Sequence, residues 1–112
     1  MGAFERDVEW ALDSLPESLR ARMENVVVLI EREDEDEPDL YGLYVGTPLT
    51  ERTSEGYAGS TPDAVLIYRR PLEADFGHDR NLLRREIRTT VLHELAHHFG
   101  IDDRELERLG WA

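Results

Sequence analysis

Residues 81–99 carry two sets of side chains that only one kind of backbone can keep apart. Val91, Leu92, Leu95, Ala96 and Phe99 recur at helical spacing as one apolar stripe. His93 and His97, with Glu86 and Thr90 above them, fall roughly on the opposite side. The pattern predicts a long helix from about Asn81 to Phe99 whose histidine face is not its core face.

On such a helix positions i and i+4 lie one above the other, so the imidazoles of His93 and His97 can reach one cation. Catalytic zinc usually takes three protein ligands and keeps a fourth position for water, so a third donor must come from elsewhere. Gly100, just past the last helical residue, suits the left-handed conformation that ends a helix and turns the chain back. That turn would return Asp103 toward the histidines. Glu94, beside them, is then the candidate general base. At ordinary residue frequencies the five-residue pattern arises by chance in on the order of one in several hundred chains of this length. Requiring the Gly and the Asp at their spacings lowers this to on the order of one in a hundred thousand.

The run from His93 to Asp103, HELAHHFGIDD, resembles the HExxHxxGxxD signature of zincin-type metallopeptidases, specifically the small bacterial minimal metallopeptidase family. The likeness extends through Leu15-Pro16-Glu17, Asn25 to Val28, Leu40 to Tyr44, Pro62-Asp63 before Val65 to Tyr68, and Arg88 to Leu92. It implies metal ligands at His93, His97 and Asp103 and a catalytic glutamate at Glu94. It also implies a Zn2+ cofactor and a peptide or protein substrate. The better-known metzincins carry a third histidine and a methionine turn below the metal. Here Met1 and Met23 both precede the motif, so no methionine turn is possible. By position, Trp111 is the candidate for that apolar floor.

Composition narrows the chemistry. Without cysteine, disulfides, thiolate zinc sites and cysteine nucleophiles are excluded, so a metal must be held by His and carboxylate. The formal charge of −12 repels a phosphate backbone, which argues against nucleic acid. No apolar run is long enough for a membrane span, and Glu5, Arg6, Asp7 and Glu9 do not read as a secretory signal, so a cytoplasmic protein is expected. At 112 residues, a single domain over 1–112 is expected. Monomer and homodimer both remain open.

Phe4, Val8, Ala11, Leu12 and Leu15 predict an amphipathic helix over 3–14. Ser14 with Glu17 reads as a capping box that starts a second short helix through about Met23. The continuous apolar run Val26 to Ile30 predicts a central strand covered on both faces. Glu31 to Asp39, with seven acids in nine positions, reads as a solvated strand end and loop, since it lacks the spacing of a calcium loop. Leu40 to Val45 and Ala64 to Tyr68 read as two more strands, with Gly42 and Gly46 marking a close approach or a bulge. The Gly, Ser, Thr and Pro-rich residues 46–63 between them form a loop long enough to be functional or disordered. Pro71 ends the third strand. After Gly100, Asp102 and Glu105 make another capping box, with Ile101 and Leu106 as its hydrophobic staple, which frees Asp103 from capping. Asp102 and Glu105 are the substitutes for Asp103 as third ligand. His98 reads as a hydrogen-bonded core-edge histidine, His78 as exposed, and Glu86 as a solvated helix residue.

The expected fold is α+β and zincin-like: a small three- or four-stranded mixed sheet packed on an active-site helix, with N-terminal helices on its covered face. The expected function is a zinc-dependent metallopeptidase, in which zinc lowers the pKa of bound water to about 7 while Glu94 takes the proton and returns it to the leaving amine. Two alternatives stand beside it. One is a catalytically inactive metal-binding or interaction domain. The other is a metal-dependent ribonuclease similar to the bacterial rRNA-maturation family, whose motif lacks a counterpart of Glu94.

Overall fold

In the computed structural model, which describes residues 2–21, 23, 25–46 and 62–109, the N-terminal apolar spacing forms helix α1 (Ala3–Asp13). Its Phe4, Val8 and Ala11 are buried. A four-residue helix, α2 (Glu17–Arg20), follows, and Pro16 rather than Ser14 occupies its N-cap. The expected capping box does not form. Ser14 Oγ instead donates to the Ala11 carbonyl at 2.9 Å and accepts from Arg88 Nε at 3.0 Å, so the hydroxyl ties the end of α1 to the long helix.

Three strands follow: β1 (Val26–Glu31), β2 (Gly42–Val45) and β3 (Asp63–Tyr68). They form one mixed sheet in the order β1-β3-β2, with β1 parallel and β2 antiparallel to β3. The most buried strand is therefore β3, and β1 is an edge, against the expectation of a central β1. Val26, Val28 and Ile30 turn toward the helices, while Val27 and Leu29 are exposed on the outer face. Register puts Leu43, Val45, Ala64 and Leu66 on that same outer face, where Val45 is also exposed. The unbroken apolar run reflects a second apolar face that the described residues leave uncovered.

Pro71 does not simply end β3. It lies in the first turn of α3 (Arg69–Phe76), a helix the sequence reading missed, where a missing backbone N–H has no partner to lose. The acidic loop after β1 is held by two residues at this junction. Arg70 Nε donates to Glu33 Oε1 at 2.7 Å, and the Tyr68 hydroxyl donates to Asp34 Oδ1 at 3.0 Å. Burial, reinforced by the Asp34 carboxylate, pushes the Tyr68 phenol up to about 12, so it stays a donor.

The long helix α4 (Arg80–Phe99) crosses the covered face of the sheet, and α1 packs against it. Leu83, Ile87, Val91, Leu95 and Phe99 enter one core with Val65, Ile67 and Leu72. Arg80 grips the buried Asp7 carboxylate through two bonds of 2.5 and 2.9 Å, fixing the start of α4 to α1. No helix of the described residues is long and apolar enough to cross a membrane. The expectations for Trp111 and for the body of the 46–63 loop lie outside the described residues.

The edge position of β1 predicts unequal costs for similar truncations. Ile67 is 0% exposed and Leu29 is 45% exposed. In urea unfolding, Ile67→Ala should cost about 2 to 5 kcal/mol and Leu29→Ala under about 1 kcal/mol. A large cost at Leu29 would mean that its face is covered in solution.

Candidate active site

Asp79 caps α4 by accepting from the backbone N–H groups of Asn81 and Leu82, at 3.1 and 3.2 Å. At the other end Gly100 is left-handed, with φ 76° and ψ 24°. Its N–H donates to the His97 carbonyl at 3.1 Å, and the Ile101 N–H to the Ala96 carbonyl at 2.8 Å. These are the paired bonds of a Schellman stop. The chain turns back at once into α5 (Asp103–Leu109), capped by Asp102 Oδ1, which accepts from the Glu105 N–H at 2.8 Å. Asp103 therefore has no capping duty.

Its carboxylate lies against the histidine face. Asp103 Oδ1 is 2.7 Å from His93 Nε2, and the rings of His93 and His97 lie 6.1 Å apart between centroids. Both imidazoles are about half exposed, while the Val91, Leu92, Leu95, Ala96 and Phe99 stripe is buried on the other side of α4. Glu94 sits between these extremes. Its side chain is 15% exposed, with Oε1 3.8 Å from His97 Nδ1. Asp102 Oδ1 accepts from the Glu105 N–H and the Glu105 side chain pairs with Arg108, whereas Asp103 is the carboxylate that contacts His93.

β2 makes the seat for Glu94. Gly42 faces α4 so closely that a Cβ there would come 2.8 Å from Thr90 Cγ2 and 3.0 Å from Glu94 Cγ. One turn of strand further, the Tyr44 backbone N–H hydrogen-bonds the Glu94 carboxylate. Desolvation is the largest influence on that carboxyl and raises it above the ordinary carboxylate range, opposed by His97, His93 and the Tyr44 N–H. An acid held this way gives up its charge more readily than a solvated glutamate.

A buried polar cluster anchors the same corner. His98, fully buried, donates from Nδ1 to Asp63 Oδ2 at 2.8 Å, and the Tyr44 hydroxyl donates to the same oxygen at 2.5 Å. Three elements, the last turn of α4, the start of β3 and the middle of β2, are thereby joined. Hydrogen bonding of His98 was expected; its depth, and its partners Asp63 and Tyr44, were not. Alternation along β2 offered a signal, because Tyr44 shares the inward face with Gly42. His78 is exposed, as expected.

The sequence profile of the family described as zincin-like metallopeptidase matches residues 23–111. The chain belongs to the zincin-like metallopeptidase family. No curated protein matched it in a direct comparison. Among the described residues of this zincin-like chain, no three His, Asp or Glu side chains are arranged as they stand to hold an ion. The donor chemistry nevertheless suits zinc: two imidazoles one helical turn apart and one carboxylate beside them. An ion taken up there would have to part the direct contact between Asp103 Oδ1 and His93 Nε2.

Two local features predict measurable effects. Gly100→Val puts a β-branched side chain at positive φ and should cost about 1 to 3 kcal/mol, whereas Gly100→Asn should be much milder. Equal thermal stabilities for the two variants would contradict the left-handed stop. Gly42→Ala should cost about 1 to 3 kcal/mol by crowding Thr90 and Glu94. In a Thr90→Ser background, which removes the opposing methyl, that cost should shrink; a double-mutant cycle with no coupling would show that Thr90 is not the contact.

Proposed function

We propose that the chain is a zinc-dependent peptidase in which His93, His97 and Asp103 hold the metal and Glu94 is the general base. The observation that carries this reading is the Gly100 turn, which sets the Asp103 carboxylate 2.7 Å from His93 beside a sheltered glutamate. Membership of a metallopeptidase family supports it.

When bound, zinc would lower the pKa of a coordinated water to about 7 and polarise a peptide carbonyl. Glu94 accepts the proton of the attacking water on its carboxylate and delivers it to the leaving amine. The Tyr44 N–H and the close approach at Gly42 hold that carboxylate in one orientation, so little reorganisation accompanies proton transfer. The His98, Asp63 and Tyr44 cluster fixes β2 against the end of α4 without touching the reacting atoms. A peptide or protein is the matching substrate, and the charge of −12 opposes an RNA substrate. The competing non-catalytic reading draws on the direct contact between Asp103 and His93, which an ion must break.

Zinc titration separates these readings from one in which the histidines are mere surface residues. The wild-type chain should bind one zinc, with a large loss of affinity for His93→Ala or His97→Ala. Affinity should fall on acidification, because an imidazole must be neutral to donate. Equal binding by all three proteins would remove the proposed site. Glu94→Gln should retain zinc and fold yet lose hydrolysis of a peptide library, since it deletes a base and no ligand. Full activity in Glu94→Gln would exclude Glu94 as the base, and tight zinc binding by an inactive wild type would favour the non-catalytic reading.

A further inference from the structure

Beside the candidate metal residues lies an open recess of about 480 Å³, lined by Tyr44, Gly46, Ile101 and Asp102 together with His97 and Asp103. We propose that this recess is a substrate subsite for a bulky apolar side chain flanking the scissile bond, a specificity that rests on the peptidase reading above.

Four observations favour an apolar occupant. The Tyr44 hydroxyl is committed to Asp63, so what Tyr44 offers the recess is its ring, which stands edge-on to the His97 ring at 6.3 Å. Ile101 is only partly buried and is held at the recess by its N–H bond to the Ala96 carbonyl. Gly46 and Gly100 contribute no side chains, which leaves the space open. Of the polar lining, Asp102 caps α5 and Asp103 contacts His93, while His97 stands ring to ring with Tyr44. An apolar side chain laid on Tyr44 and Ile101 removes surface from water on both partners. A basic side chain would gain only exposed ion pairs with Asp102 and Asp103, which contribute little. An acidic one would face Asp102 and Asp103 in a chain of charge −12.

Binding and cleavage by the full chain test this separately. Blocked pentapeptides Ala-Ala-X-Ala-Ala, with X as Phe, Arg or Asp, are titrated into metal-free protein by amide NMR. The zinc-loaded protein is then assayed for cleavage of the same peptides. The Phe peptide should shift the amides of Gly46, Gly100, Ile101 and Asp102 and bind about tenfold tighter than the Asp peptide, with Arg between them. In Ile101→Ala, checked for an unchanged fold by the same spectra, the Phe preference should fall several-fold. Equal affinity for the three peptides, or shifts confined to the outer sheet face at Val27 and Leu29, would overturn the subsite. Cleavage by the zinc-loaded chain without side-chain preference would overturn it while leaving the peptidase reading intact. Phe-selective binding at the recess without cleavage would do the reverse.

Discussion

The burial of one stripe of α4 sets the rotation of that helix about its axis, and the rest of the site follows from it. With Val91, Leu95 and Phe99 sunk into the core, His93 and His97 must emerge about half a turn away. Glu94 then falls at the seam, close enough to β2 to lose most of its water yet still beside the imidazoles. His98, one position past His97, is driven inward. A small rotation would expose Glu94 or bury a ligand candidate, so packing free energy and site geometry are coupled through a single helix.

A helix turned that way leaves His98 in need of a partner, because a buried imidazole without hydrogen bonds is costly. Asp63 supplies it, and Tyr44 gives that carboxylate a second donor. The cluster also explains how a four-residue edge strand can be a dependable wall of the site. β2 is bonded to β3 along one side only, and the Tyr44 hydroxyl adds, through Asp63, a link to His98 of α4 that the ladder cannot provide. Gly42 completes the arrangement by letting strand and helix approach to the distance at which the Tyr44 N–H reaches Glu94.

Much of this was legible in the chain. The period of the apolar residues located α1 and α4, the Gly100 stop and the Asp102 cap were written in single residues, and the inward glycine of β2 was flagged as a close approach. The failures share a cause. A run such as Val26 to Ile30 reports that both faces are apolar, not whether a second layer covers them, so β1 was placed centrally although it is an edge. Pro71 was read as a stop, because a proline's effect depends on which turn of a helix it enters.

The sequence by itself therefore determined what depends on neighbours within a few residues: helix register, the left-handed stop, the Asp102 cap, and the His93, Glu94, His97 and Asp103 pattern. Spacing along one helix and one tight turn is a local geometric property, and local backbone sterics enforce it. Only the tertiary structure decided strand order, the shelter around Glu94, and the meeting of His98 with Asp63 and Tyr44. Those contacts join residues 35 or more positions from His98 or Glu94, chosen by how layers pack and not by any periodicity a linear chain can display.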